Sequence, residues 1–193
     1  MARPRAFDVD RALDRALEVF WARGYEGASM AELTDAMGIN PPSLYAAFGN
    51  KRELFRRAVE RYAAGPAAYT VQALEAPTAR GVAEALLRGC ARMVTDAGRP
   101  HGCLMVHGAL ACGAEAAGPR ADLAARRAAG ELRLRERLRR ARAEGDLPAD
   151  ADPAALARYL MTVLYGMSVQ AAGGATRRDL LQVADTVLAA WPS

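Results

Sequence analysis

Hydrophobic residues recur at spacings of three and four along most of the chain, and short breaks rich in glycine or proline separate these stretches. This periodicity is typical of amphipathic α-helices. Ala, Leu, Arg and Glu dominate the composition, whereas β-branched residues are scarce, which also favours helices. The pattern predicts an all-α protein in which a small N-terminal head precedes a larger helical body.

Two helices are predicted before residue 38. Asp8 is placed to cap a first helix that ends at Gly24, where a glycine commonly adopts the left-handed conformation. Ser29–Glu32 has the pattern of a capping box and predicts a short second helix to about Met37.

A third and a fourth helix follow in quick succession. Asn40 is placed to cap the third helix, with two prolines in its first turn, where a missing N–H costs little. Gly49 ends this helix, and Lys51 opens the fourth. Pro66 and Pro77 then interrupt the helical pattern, so we place the head at residues 1–62 and the body at residues 63–193.

The body is predicted to contain five further helices. A break is expected at residues 113–119, before a long arginine-rich helix. The five helices are predicted at 78–98, 103–111, 120–144, 153–172 and 176–191.

Residues 29–51 carry the most informative pattern. Two short helices joined by a tight glycine-containing turn are typical of a helix-turn-helix, whose second helix enters the major groove of DNA. Ser29 lies at a helix N-terminus, where free N–H groups attract anions such as phosphate. Tyr45 offers a hydroxyl, and Lys51 is the single lysine of the sequence. Taken alone, Ser29 also fits a simple helix cap, Tyr45 a half-buried core tyrosine, and Lys51 a solvated surface charge.

The stretch Leu44-Tyr45-Ala46-Ala47-Phe48-Gly49-Asn50-Lys51 resembles the Leu-Tyr-x-x-Phe-x-x-Lys signature of TetR-family repressors. Phe20, Gly24, Tyr25, Ser29 and Ile39 also match the family pattern, so the resemblance covers about residues 8–60. It implies a homodimer of about nine helices per chain, with a DNA-binding head and a ligand-binding and dimerisation domain. It further implies a ligand-released transcriptional repressor of a palindromic operator in double-stranded DNA.

The resemblance assigns DNA contacts residue by residue. The recognition helix has few hydrogen-bond donors, so base readout is expected to rest on apolar contacts, Ser43, water and DNA shape. The expected contacts are Ser29, Tyr45 and Lys51 to phosphates, Pro42, Ser43 and Leu44 to base edges, and Arg3 and Arg5 to phosphates or the minor groove.

A family ligand pocket would lie in the body. Gly102-Cys103-Leu104-Met105-Val106 is similar to a Gly-Cys-Leu-x-Val stretch in a subgroup that includes reactive-electrophile sensors. At a helix N-terminus near Arg99 and His101, Cys103 is expected to gain thiolate character, although a small buried hydrophobe is the alternative reading. The candidate pocket residues are Cys90, Met93, Cys103, Met105 and His107, and Cys112 is a weaker sensor candidate. The inducer itself is not identified by the sequence; an electrophile or an oxidant sensed at Cys103 is one expectation.

The last two predicted helices, about residues 153–191, have apolar stripes too wide for a lone surface pair. Two copies of this pair would close a four-helix bundle, so we expect a homodimer through these helices. The helix at 120–144 carries nine arginines. We favour a solvated face over a nucleic-acid or membrane surface, because Leu123, Leu132 and Leu138 give the helix an inward stripe.

Composition adds limits to this picture. The net charge is +4, but residues 1–62 hold ten Lys and Arg against nine Asp and Glu, so placement of charge must matter more than its sum. Three cysteines without paired spacing argue against a disulfide framework, and neither a metal site nor a cofactor is expected. No signal segment and no uncharged apolar stretch of membrane-spanning length is present, so we expect a cytoplasmic protein with no membrane partner.

Two rival functions remain open. An enzyme would use Cys103 as nucleophile and His107 as base, but no third group is evident to orient the pair. An interaction protein would bind partners through the bundle and keep the head as a relic. Steep salt dependence of DNA binding would separate the repressor from this second rival.

Overall fold

The computed structural model describes residues 7–108, 113 and 116–192; Arg3, Arg5 and Cys112 lie outside the described residues. All regular structure in this part of the chain is helical, as predicted. None of the helices described is long and apolar enough to cross a membrane. The helices are α1 (Val9–Gly27), α2 (Met30–Met37), α3 (Pro41–Phe48), α4 (Lys51–Ala64), α5 (Tyr69–Gln72), α6 (Ala79–Val94), α7 (Leu104–His107), α8 (Ala117–Ala143), α9 (Pro153–Ala172) and α10 (Arg177–Ala189).

Helices α1–α4 form the head. Asp8 caps α1 as predicted, because its carboxylate accepts the backbone N–H groups of Asp10 and Arg11. Gly24 (φ +71°) interrupts α1, and one further turn runs to Gly27. The apolar stripe of α1 packs on α4, where the rings of Phe20 and Phe55 meet edge to face at 5.0 Å. This contact belongs to one continuous apolar core that runs on into the body.

The body is built around α6, which packs against both α9 and α10, while α8 packs along α9. Three hydrogen bonds join the described part of the body to α1, one of them from the N–H of Gly113 to the carboxylate of Glu26 at 2.7 Å. The indole N–H of Trp21 donates to the carbonyl oxygen of Gly102 at 3.2 Å, and the N–H of Tyr25 donates to that of Gly108 at 2.8 Å. The segment around α7 is therefore held directly against the head.

The structure corrects three details of the predicted body. The segment between Pro66 and Pro77 contains α5 and a 3₁₀ turn, so ten α-helices lie in the described part of the chain rather than nine. Pro119 is buried inside the first turn of α8 instead of in a break, a position that needs no proline N–H. Leu132 is exposed, and Leu134 takes its place in the inward stripe. Leu134 follows Leu123 by three full helical turns, whereas Leu132 lies on the opposite side.

Candidate DNA-binding head and ligand cavity

Local capping sets the two helices of the helix-turn-helix. The hydroxyl of Ser29 accepts the N–H of Glu32 at 3.1 Å, and the side chain of Asn40 accepts the N–H of Ser43 at 2.9 Å. Between them, Gly38 adopts the left-handed conformation (φ +66°) that ends α2. The predicted capping box is only half formed, because the Glu32 carboxylate pairs with Arg23 at 3.3 Å.

The outer face of α3 is open to solvent. Pro42, Tyr45 and Ala46 are exposed at helical spacings of three and four, and Tyr45 retains 53% of its accessible surface. Such a face suits insertion into a groove, with the Tyr45 hydroxyl on an apolar ring. Ser43 is half-buried beside it.

Leu44 does not join this face, which corrects its assignment to base edges. It is fully buried in the core, two positions beyond Pro42 and so more than half a turn away around α3. Ala46, which the sequence reasoning left out, is exposed instead. Ala46 follows Pro42 by four positions, a spacing that places both residues on the same face of a helix, and this could have been read from the sequence.

Ser29 and Lys51 both lie at helix N-terminal ends, the first as the cap of α2 and the second as the first residue of α4. Free N–H groups and the helix dipole make such ends favourable for phosphate. The Lys51 ammonium also lies 4.7 Å from the centroid of the Tyr25 ring, a cation–π contact that positions it.

Two arginines fix the head internally. Arg57 donates to the carbonyl oxygen of Ala47 at 3.0 Å and stacks over the Phe48 ring, which ties the end of α3 to α4. Arg61 grips the carboxylate of Asp14 with two nitrogens at 2.8 and 2.9 Å, which ties α4 to α1. The outer face of α3 is thus presented on a fixed support.

A cavity of about 370 Å³ lies in the body between α5, α6, α8 and α9. Four of the five predicted pocket residues line it: Cys90, Met93, Cys103 and Met105. His107 lies beside the cavity instead, with Nε2 3.3 Å from the carbonyl oxygen of Ser168. A Cβ on Gly102 would lie 2.7 Å from the same Nε2, so the ring packs on that glycine.

The surroundings of Cys103 differ from those expected. Burial raises the pKa of the Cys103 thiol above its ordinary value of 9.0, partly offset by the hydrogen bond from Tyr62 and by backbone N–H groups. Arg99 pairs with Asp96, and the cation that acts on Cys103 is Arg127 from α8. The predicted thiolate character is therefore opposed by desolvation. Cys90 is buried as well, and burial raises its pKa to about 12.

The cavity also contains residues that sequence reasoning missed. Two phenols, Tyr69 and Tyr165, line it, and burial raises the pKa of Tyr165 to about 12. Arg126, Arg127 and Arg133 line it from α8. These arginines belong to the helix that we interpreted as a solvated charged face; Arg133 is indeed exposed, whereas Arg126 and Arg127 are half-buried. No local pattern separates the three from the other arginines of α8.

The comparisons with known proteins agree with this arrangement. Residues 12–58 match the family model "Bacterial regulatory proteins, tetR family", and residues 81–183 match "Tetracyclin repressor-like, C-terminal domain". The chain therefore belongs to the TetR family, and it is a DNA-binding transcriptional regulator rather than an enzyme.

Individual relatives are similar over most of the chain. The HTH-type transcriptional repressor ComR of Escherichia coli (strain K12) is 35% identical over 192 residues, which cover 98% of this chain and 91% of ComR. A cysteine mutant of the TetR regulator CifR, solved in complex with a 26-bp double-strand operator DNA, is 49% identical with a TM-score of 0.94, covering 98% of this chain and all of that one. A putative TetR regulator from Rhodococcus sp. RHA1 is 41% identical with a TM-score of 0.65, covering 96% of this chain and 100% of that one.

Proposed function

We propose that the protein is a repressor that binds a palindromic operator as a homodimer and leaves it when a small molecule occupies the body cavity. The observation that carries this proposal is the exposed outer face of α3, held on a fixed head that hydrogen bonds tie to the cavity wall. The similarity to the repressor ComR and to operator-bound CifR supports it.

Operator recognition rests on the surface residues of the head. The helix ends at Ser29 and Lys51 and the hydroxyl of Tyr45 are suited to phosphates, and Pro42, Ser43 and Ala46 to base edges. Arg3 and Arg5, outside the described residues, remain predicted contacts.

A variant series tests this assignment. Tyr45→Phe removes one hydroxyl from an exposed ring, and we expect operator affinity to fall about fivefold in an anisotropy titration. Arg135→Lys, an exposed change on α8 that keeps the charge, should leave affinity unchanged. If both variants bind the operator with equal affinity, the Tyr45 hydroxyl does not contact the DNA.

Dimerisation is proposed through α9 and α10. Apolar side chains on these helices remain exposed in the single chain, including Tyr159 (46%), Val169 (51%) and Val183 (40%). A second copy packed on the same helices would bury them in a four-helix bundle. Two heads would then reach successive major-groove faces about 34 Å apart. In analytical ultracentrifugation, we expect the parent protein to sediment as a dimer and Val169→Arg to sediment as a monomer. A parent protein that sediments as a monomer would contradict this interface.

Release requires that the cavity and the head communicate. The hydrogen bonds that cross between them include Tyr62 to Cys103, Trp21 to Gly102, Tyr25 to Gly108 and Arg126 to Glu60. A ligand that moves the segment around α7 would favour a head position that no longer matches the operator, which is a population shift. This is how we propose that occupancy of the cavity weakens DNA binding.

We further propose that Cys103 senses electrophiles by covalent modification of its thiol. The thiol lies in the cavity wall, so an electrophile that fits the cavity would meet it directly. An S–C bond would form at Sγ, and the thiol proton would pass to the electrophile. Because the pKa of Cys103 is raised, we expect selectivity from fit to the cavity rather than from high intrinsic thiol reactivity.

The test uses N-ethylmaleimide as the electrophile and operator release as the readout. The parent should lose operator binding in step with modification of Cys103, measured by peptide mass spectrometry. Cys103→Ser should stay bound, whereas Cys90→Ser should respond like the parent. Release of Cys103→Ser at the parent's rate would contradict sensing at this residue.

A further inference from the structure

The cavity has an unusual charge balance. Of the described residues that line it, three are arginines and none is Asp or Glu. The remaining lining is mostly apolar, with thiols, phenols and small residues. A neutral apolar ligand would gain nothing from this cationic rim, since each guanidinium would still need water or another acceptor.

Two of these guanidinium groups keep donors available for a ligand. Arg133 is exposed at the mouth of the cavity and forms no hydrogen bond or ion pair with any residue the structure describes. Arg127 donates one nitrogen to the carbonyl oxygen of Met105, which leaves the rest of its fork unused. Arg126 is partly committed, because Glu60 lies 3.5 Å from it.

Helix α8 contributes both charged and apolar residues to the cavity wall. Arg126, Arg127, Gly130, Arg133 and Leu134 line the cavity on successive turns of the helix. Gly130 lies between the arginines, and a Cβ there would meet only the end of Met161, at 3.8 Å. The small residue leaves room between two cationic positions, while Leu134 is buried in the apolar core.

We propose that the ligand of this cavity is an apolar molecule that ends in a carboxylate or a comparable acid group. The acid group pairs with Arg133 and Arg127, and the apolar body extends inward among Leu86, Leu134 and Leu164 towards Cys103. This inference rests on the proposed function only in treating the cavity as the inducer site. Binding itself does not depend on DNA.

The test compares three ten-carbon probes that differ at one end: decanoate, 1-decanol and decylamine. Their dissociation constants are measured on the purified full-length protein by displacement of a fluorescent apolar dye. We expect decanoate to bind about tenfold more tightly than either other probe, the gain expected of a charge-assisted hydrogen bond. Arg133→Met should remove most of this preference. Arg135→Met, an exposed change on the same helix outside the cavity, should keep it.

Decanoate that binds no more tightly than decanol and decylamine, including no measurable binding by any probe, would overturn the inference. A preference that survives both Arg133→Met and Arg127→Met would also overturn it, because the acid would then be held elsewhere. Operator binding of the unliganded protein is measured in parallel. Its absence would count against the proposed function and leave the probe comparison intact.

Discussion

The phenol of Tyr62 donates a hydrogen bond to the Sγ of Cys103 across 3.1 Å, joining α4 of the head to the wall of the cavity in the body. The same ring meets Trp21 edge to face at 4.8 Å, and the Trp21 indole donates to Gly102, the residue before Cys103. Tyr62 and Trp21, which pack together in the head, therefore both donate hydrogen bonds to the cavity segment of the body.

Tyr62→Phe should slow alkylation of Cys103. The lost hydrogen bond is one that lowers the pKa of the thiol against the larger effect of burial, so the pKa should rise further. We expect reaction with iodoacetamide at pH 8 to slow about fivefold, as for a hydrogen bond of about 1 kcal/mol. Peptide mass spectrometry follows Cys103 alone. The control variant Tyr159→Phe should react at the parent's rate. If Tyr62→Phe also reacts at the parent's rate, the hydrogen bond has no effect on the reactivity of the Cys103 thiol.

Alkaline pH should destabilise the fold. Burial raises the pKa of Cys90 from its ordinary value of 9.0 to about 12, and it also raises that of Cys103. The unfolded chain loses these thiol protons near pH 9, whereas the folded chain keeps them. The unfolded state therefore binds fewer protons above that pH, and the free energy of unfolding falls by up to about 1.4 kcal/mol per pH unit for each thiol.

Urea unfolding at pH 8.0 and 9.5 measures this dependence. The free energy of unfolding should be lower at pH 9.5 in the parent, and the fall should be smaller in Cys90→Ala, which lacks one of the two thiols. A free energy that is constant or rises over this interval would contradict the assigned direction.

Arg137 is expected to stabilise the body through its hydrogen bonds. Its guanidinium is buried and donates to the backbone oxygens of Leu74, Ala76 and Pro77 at 2.7 to 3.1 Å. Arg137→Met would leave these oxygens without donors and should lower the free energy of unfolding by about 2 to 3 kcal/mol. Arg135→Met, an exposed change two positions away, should have little effect. Equal stability of the two variants would contradict the structural role.

Two glycines of the body should respond oppositely to alanine. A Cβ on Gly130 would make an ordinary contact at 3.8 Å, so Gly130→Ala should stabilise α8 by about 0.5 to 1 kcal/mol. A Cβ on Gly89 would overlap the Tyr69 ring, so Gly89→Ala should destabilise α6 by about 1 to 3 kcal/mol. Thermal unfolding of both variants checks this, and shifts of the same sign would refute the packing described.

The predictions from sequence succeeded where structure is decided locally. Caps such as Asp8, Ser29 and Asn40 act within one turn of chain, so residue type and spacing were sufficient. Leu44 and Leu132 were misplaced because a leucine is apolar on either face, and only its angle around the helix decides which face is buried.

The site in the body depended on contacts distant in sequence. Tyr62 and Cys103 are 41 positions apart, and no local pattern reports that a phenol reaches the thiol. Arg127 and Arg133 look like their solvated neighbours on α8, because charge alone does not show which guanidinium groups border a cavity. Local spacing thus predicted the head well and the cavity only in part.

The most direct test of the central claim is binding of the purified protein to labelled DNA from upstream of its own gene, by fluorescence anisotropy at low and near-physiological salt. We predict tight, saturable binding that survives excess random DNA and weakens steeply as salt rises, because phosphate contacts release counterions. Binding that random competitor abolishes at both salt concentrations would contradict an autoregulating operator binder.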